Sequence, residues 1–272
     1  MVKLNVLNIN INIEVWHKDK RETIVMLHGF TGSTKTWETL ATKLPHYKIV
    51  VIDLMGHGLT EVVEDVNVYG MESQIHILHA IITRLQLTNF TLLGYSMGGR
   101  IALSYALQHP HEVRGLILES ASPGLESMEE QKERKAADNA LANRIETEGI
   151  EAFVEFWENI PLFASQKSLP LDVQQAIRAE RLSQNRLGLA NSLRGMGTGV
   201  MPSLWHRLVE LPMPVTLMTG ELDSKFVNIA DRMTKLIKNV RHVTVNEVGH
   251  AIHVENPSEF ATIVKETISL NP

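Results

Sequence analysis

The chain contains no cysteine, which excludes disulfides, thiolate metal sites and a cysteine nucleophile, and is compatible with a reducing compartment. Nor does it contain an uninterrupted apolar run approaching the ~18 residues needed to cross a bilayer. No membrane span is expected. Lys and Arg are nowhere clustered, and the formal net charge is -5 with a pI near 6.2, so the electrostatic footprint of a nucleic-acid or anionic-membrane binder is missing. Any anionic ligand must therefore be held by local charges. The opening residues Met1-Val2-Lys3-Leu4-Asn5-Val6 interleave polar and apolar side chains, unlike a signal peptide or an anchor, and the expected location is cytoplasmic. No internal repeat or low-complexity tract is visible. What remains is a chain of 272 residues, 44% of them hydrophobic, long enough for one large domain with a substantial core, with or without an insertion.

Residues 5–16 alternate as an edge hairpin does. Residues 24–27, 49–52, 92–93, 116–118, 215–218 and 243–245 instead form short, mostly apolar runs, the pattern of strands buried on both faces. Crossover helices are expected over 73–85, 97–108, 229–238 and 257–269, with Pro257 suited to a first helical turn. Together these predict an α/β fold: a mostly parallel sheet flanked by helices, with ligands bound beyond the C-terminal strand ends. Between 122 and 205 the strand signal stops and the pattern turns helical, as over 129–146 and 171–181. The expectation is a helical cap at 122–205 inserted into a core of 1–121 and 206–272. Within it, Gly195-Met196-Gly197-Thr198-Gly199 follows no strand and reads as a hinge or loop rather than a phosphate cradle.

Gly94-Tyr95-Ser96-Met97-Gly98-Gly99 lies between an apolar strand and a helical stretch. A small-x-Ser-x-small turn in that context is the nucleophile elbow of an α/β-hydrolase fold, where glycines admit the tight backbone that lifts the serine clear of the sheet. A serine hydroxyl needs an imidazole to take its proton and a carboxylate to orient that imidazole. Asp223 follows the 215–219 strand and His250 follows the 243–245 strand, in the fold order serine, acid, histidine. Glu221 is the alternative acid and His253 the alternative base. The backbone N–H groups of Phe30 and Met97 are expected to form an oxyanion hole. His28, Asp53 and His57 read as structural, and His76 and His79, three apart on a helix, as helix residues rather than metal ligands. Arg100, four residues after Ser96, points either into the site or against packed chain, where an arginine requires an anion.

Gly94-Tyr95-Ser96-Met97-Gly98-Gly99-Arg100 resembles the elbow of the 2-succinyl-6-hydroxy-2,4-cyclohexadiene-1-carboxylate synthases of menaquinone biosynthesis. Ser122-Pro123-Gly124-Leu125, followed by Glu129-Glu130 and Arg134, is similar to that family's segment bearing a second substrate arginine. Residues 153–165, with Trp157 and Pro161-Leu162-Phe163-Ala164-Ser165, resemble its aromatic cap wall. Arg181 matches a third substrate arginine, with Arg178 as its rival. The loops around Asp223 and His250-Ala251-Ile252-His253-Val254-Glu255-Asn256-Pro257 are similar as well. The resemblance implies a lyase that eliminates pyruvate from a carboxylated enolpyruvyl substrate, a small anion, without cofactor or metal. Ser96, His250 and Asp223 would move the proton, Arg100, Arg134 and Arg181 would bind carboxylates, and Tyr95 and Trp157 would shape the pocket. The alternatives are a serine hydrolase of small esters or carbon–carbon bonds, and a cleft that only binds.

Overall fold

A computed structural model describes residues 2–270. Its sheet has eight strands: β1 (Val2–Val6), β2 (Ile9–Trp16), β3 (Thr23–Leu27), β4 (Lys48–Ile52), β5 (Phe90–Tyr95), β6 (Val113–Glu119), β7 (Val215–Gly220) and β8 (Val240–Val245). They lie in the order β1-β2-β4-β3-β5-β6-β7-β8. The β1–β2 and β2–β4 pairs are antiparallel, and every other pair is parallel.

The apolar strand runs work because successive side chains enter opposite layers. Val25, Leu27 and Leu92 join one core cluster while Ile24, Met26 and Leu93 join the other. The first layer is closed by α2 (Met71–Arg84), α3 (Met97–Gln108) and α7 (Ser224–Thr234). Across the sheet, α1 (Glu38–Lys43) and α9 (Pro257–Ser269) supply Leu40 and Phe260 to the second. The expected 229–238 helix therefore begins earlier, at Ser224, because the Asp223 side chain accepts the Phe226 N–H at 3.4 Å and caps it.

Three helices intervene between β6 and β7: α4 (Met128–Trp157), α5 (Leu171–Leu182) and α6 (Arg186–Met196); the short α8 (Ile252–Glu255) follows β8. Ser127 and Glu130 form a reciprocal cap at the start of α4, and the helix breaks at Gly149, whose φ of 88° lies where a side chain would be strained. Asn185 accepts from Leu187 and Gly188 N–H at 2.9 and 3.1 Å, which starts α6. That helix takes in Gly195 and Met196 and ends at Gly197, so the glycine run is a helix terminus and not simply a loop. Ala142, Ile145, Phe153, Leu189 and Leu193 form a separate apolar cluster that holds α4 to α6.

The inserted helices rest on loops of the sheet's C-terminal edge. Glu180 accepts from Ser33 Oγ at 2.6 Å and Thr36 Oγ1 at 2.8 Å, and Gln184 accepts the Gly58 N–H at 2.9 Å. Gly56, at φ 83°, meets Gly188 backbone to backbone, and a Cβ on either would run into the other's main chain. Gly56→Ala should cost about 2–4 kcal/mol, combining left-handed strain with overpacking. Urea denaturation should show a lowered midpoint with an unchanged slope; an unchanged midpoint would mean that the two backbones separate freely.

Candidate active site

The elbow is a consequence of close packing. Ser96 sits at φ 49°, ψ -104°, between a fully buried β5 and the first turn of α3. A Cβ on Gly98 would strike the carbonyls of Leu27 and His28, and one on Gly94 would strike Gly98. Only glycine lets β3, β5 and α3 approach so closely. Although Ser96 occupies the helix N-cap position, its side chain makes no capping bond. The hydroxyl instead lies 3.0 Å from His250 Nε2, and His250 Nδ1 lies 2.6 Å from Asp223 Oδ2. With Nδ1–H donating to the carboxylate, Nε2 is left to accept from Ser96.

Tight backbone contact also places the histidine. A Cβ on Gly220, at the end of β7, would meet the carbonyls of Val248 and Gly249. The Gly249 N–H donates to Glu255 Oε2 at 2.7 Å, fixing the loop before His250. The His250 ring is packed among Tyr95, Phe226 and Phe163, with centroids at 5.4, 4.7 and 6.3 Å. Glu221 lies elsewhere, accepting the Glu247 N–H at 3.0 Å. His253 is likewise occupied: its Nδ1 lies 2.9 and 2.8 Å from the two oxygens of Glu119, which also accepts its backbone N–H at 3.1 Å.

A cavity of about 430 Å³ opens over Ser96 and His250 and is lined by Phe30, Tyr95, Met97, Arg100, Arg134 and Trp157 among others. Tyr95 reaches it because Gly29 has no side chain; a Cβ there would collide with the tyrosine ring. Phe30, Phe153 and Phe163 surround Trp157 with centroids at 5.4, 5.6 and 5.8 Å. Arg100 donates to the Met196 carbonyl at 2.7 Å. Burial, then the neighbouring Arg134, lower its pKa to about 10, with Asp138 opposing, and it stays cationic at neutral pH. Arg134 Nε donates to Asp138 Oδ1 at 2.8 Å.

Arg181 does not share that cavity. Its guanidinium lies 4.6 Å from the Phe163 ring centroid and donates to Gln166 Oε1 at 3.0 Å, so Phe163 stands between it and the space above Ser96. Arg178 is paired with Glu158 and lines the same outer cleft as Arg181. The spacing of arginines along a helix shows nothing of an intervening ring contributed by another segment.

Several residues of the site escaped the sequence reading. Asp138, buried and one helical turn after Arg134, has Oδ2 without a hydrogen-bond partner among the described residues. Ser120, also missed, lines the cavity with its Oγ unpartnered among the described residues, as is Nε1 of the expected Trp157. The Arg134 to Asp138 spacing of four was a usable signal. Glu119 ends β6 much as Asp223 follows β7, but nothing in the sequence pairs it with His253.

The loops beneath Phe30 are fixed by neutral, buried histidines and one carboxylate. His28 Nε2 accepts the Leu54 N–H at 3.0 Å and Nδ1–H donates to the Gly29 carbonyl at 2.8 Å. Asp53 accepts from Thr34 N–H, Asn12 Nδ2 and Leu59 N–H at 2.5, 2.8 and 2.8 Å, joining three segments.

Residues 22–257 match the family described as alpha/beta hydrolase fold. Fold and elbow together define that class of protein. A Bacillus subtilis (strain 168) protein provisionally named 2-succinyl-6-hydroxy-2,4-cyclohexadiene-1-carboxylate synthase is 45% identical over 91% of this chain and 90% of its own. The Enterobacter sp. (strain 638) enzyme of the same name is 32% identical, covering 91% and 92%. The structure of MenH from S. aureus superposes with a TM-score of 0.92 at 38% identity, over 95% of this chain and 98% of that one. The chain belongs to the 2-succinyl-6-hydroxy-2,4-cyclohexadiene-1-carboxylate synthase family. No helix among the described residues is long and apolar enough to cross a membrane.

Acid should destabilise this loop system. Burial lowers His28 to about 4 against its bond to the Gly29 carbonyl, and burial and then His28 lower His57 to about 3. Both titrate near 6.5 when unfolded, so below that pH the unfolded chain binds more protons and stability falls as pH drops. From His28 alone the loss by pH 4 is about 3 kcal/mol. Thermal midpoints measured from pH 7 downward should fall, and less steeply in His57→Gln; a midpoint level to about pH 4 would contradict the assignment.

Proposed function

We propose that this chain eliminates pyruvate from 2-succinyl-5-enolpyruvyl-6-hydroxy-3-cyclohexene-1-carboxylate, giving 2-succinyl-6-hydroxy-2,4-cyclohexadiene-1-carboxylate, a cytoplasmic carbon–oxygen lyase step of menaquinone biosynthesis. The observation that carries the reading is one cavity lined both by Ser96 and His250 and by Arg100 and Arg134. An ester hydrolase needs the first pair alone, whereas a substrate with several carboxylates needs the second as well. The family relationship supplies the identity of that substrate.

His250 accepts the Ser96 proton, and Asp223 stabilises the imidazolium through the 2.6 Å contact at Nδ1. Ser96, now an alkoxide, removes the ring proton next to the succinyl ketone. The C–H electrons become a carbon–carbon double bond conjugated with an enolate oxygen, held by the backbone N–H groups of Phe30 and Met97. As the carbonyl re-forms, the ring double bond shifts and the ring C–O bond breaks. The leaving enolate takes the proton held on His250, completing pyruvate; Ser96 already carries the ring proton, so both residues regain their starting states. No acyl-enzyme is formed. The segment 122–205 serves as a cap, with Trp157 and Tyr95 excluding water. In the arrangement described, substrate carboxylates fall to Arg100 and Arg134, with Arg181 lying against the far side of Phe163.

Pyruvate release and the ultraviolet absorption of the diene test the assignment together. Ser96→Ala should reduce kcat by at least about 100-fold, no less than the loss of one oxyanion-hole donor. Near-normal turnover would remove Ser96 from the reaction. Arg100→Ala should raise KM about 10-fold or more, as expected when a charge-assisted hydrogen bond is lost. An unchanged KM would leave the carboxylates to other groups. Burst kinetics on activated esters with no pyruvate from the enolpyruvyl substrate would overturn the lyase reading in favour of a hydrolase.

A further inference from the structure

A cluster of metal-ligating side chains lies at the far end of the elbow helix from Ser96. Folding brings His79 of α2 against the turn that joins α3 to β6, where His109 and Glu112 reside. His79 Nδ1 is 3.3 Å from Glu112 Oε1, and His109 Nδ1 is 3.9 Å from the same atom. The Tyr105 hydroxyl, on the last turn of α3, donates to Glu112 Oε2 and lies 3.3 Å from His79 Nδ1. One ligand atom from each of His79, His109 and Glu112 falls within 4.8 Å of the other two.

These separations have a direct chemical meaning. Four N or O ligands held tetrahedrally about Zn²⁺, each at about 2.0–2.1 Å, are separated by roughly 3.3 Å along each edge. The His79–Glu112 separation already has that value, and His109, at 3.9 Å, needs to close on Glu112 by about 0.6 Å. Two imidazoles with a carboxylate and an open fourth position form a donor set suited to a borderline divalent ion. The surroundings favour a cation too: His109 occupies the C-cap of α3, where the helix dipole is negative.

Access is retained. The His79, His109 and Glu112 side chains are 40%, 23% and 30% exposed, open enough for an ion to enter and covered enough to limit competition from solvent. The two imidazoles are now stacked, with centroids 4.1 Å apart and planes 12° from parallel, so their in-plane lone pairs cannot meet at one point. One ring must turn about its Cβ–Cγ bond; a turn of His109 keeps the His79–Glu112 separation and lets His109 close on Glu112.

We propose that His79, His109 and Glu112 bind a divalent transition-metal ion such as Zn²⁺, with the Tyr105 hydroxyl or a water as fourth ligand, clamping α2 to the turn between α3 and β6. The twelve residues of α3 separate this cluster from the elbow by about 18 Å along the helix, so the ion stabilises the chain and takes no part in the reaction. The same spacing makes the proposal independent of the lyase assignment.

The test is calorimetric titration of tag-free, metal-stripped protein with Zn²⁺, repeated on His79→Ala, His109→Ala and Glu112→Gln. The wild type should bind one ion per chain and show a raised Tm, while each substitution should weaken binding at least about 10-fold, the lower end of what losing metal-site support costs. Pyruvate release by the metal-free variants should match that of the metal-free wild type. Co²⁺ should give the intense visible bands of a four-coordinate centre, absent in His109→Ala. His79→Ala, the most exposed change, keeps the test valid if another variant folds poorly. No saturable uptake by the wild type, or uptake retained in all three variants, overturns the proposal.

Discussion

The whole site depends on one close approach, that of Gly98 to the C-terminal end of β3. With no side chain at that position, the start of α3 lies directly on the carbonyls of Leu27 and His28, and Ser96 is forced into its φ 49°, ψ -104° conformation between the two. Strain of this kind costs on the order of 1–3 kcal/mol, and it persists because the surrounding packing fixes the chain on both sides. Every residue of β5 is buried, and the Ser96 N–H donates to the Glu119 carbonyl of β6 at 2.8 Å. The hydroxyl therefore needs little reorganisation to meet His250, since the backbone has already aimed it. Similar glycine contacts between Gly220 and the 248–249 carbonyls bring the histidine loop to the same place. The relay geometry is a property of backbone packing, with side chains added to it.

Charge is the second constraint. In a chain with a formal net charge of -5, two guanidinium groups share the wall of a largely apolar cavity. Burial alone works against Arg100, and Arg134 adds to that penalty, as its lowered pKa records. Asp138 offsets part of it but offers only one oxygen to Arg134 and leaves the other without a protein partner. A buried Arg100 beside a half-exposed Arg134, with half a counter-ion between them, is costly by itself and is relieved by an anionic ligand. Under the proposed function this makes carboxylate recognition a completion of the site's own electrostatics. On that reading a neutral ester, though within reach of the relay, would leave the charge of Arg100 and Arg134 uncompensated.

Much of this was legible in the sequence, for identifiable reasons. The elbow could be read because its requirement for small residues is local to a few positions, and Asp223 and His250 because strand ends are marked by the apolar runs before them. Phe30, Tyr95 and Trp157, reached through motif order, line the cavity. What stayed hidden was whatever depended on contacts between segments. Arg181 lies behind Phe163, a relation between α5 and the turn preceding it that no spacing reveals. The helix expected from 229 starts at Ser224 because the Asp223 side chain caps it through Oδ1 while Oδ2 contacts His250. Glu119 and His253 bond across 134 residues, beyond any local pattern.

Those longer-range contacts tie the inserted helices to the chemistry beneath them. Glu180, on α5, accepts from both Ser33 and Thr36, which belong to the same loop as Phe30. Burial raises the Glu180 pKa, and the two hydroxyl bonds resist that rise, so the carboxylate is held at this junction by the loop itself. Phe30 in turn packs its ring edge against Trp157, and His57 packs against Phe30. A displacement of α5 would therefore strain the loop that supplies the Phe30 amide, while a displacement of α4 would remove the aromatic wall facing it. The inserted helices and the proposed oxyanion hole share one loop, and any motion that admits substrate has to be accommodated where enolate charge is to be stabilised.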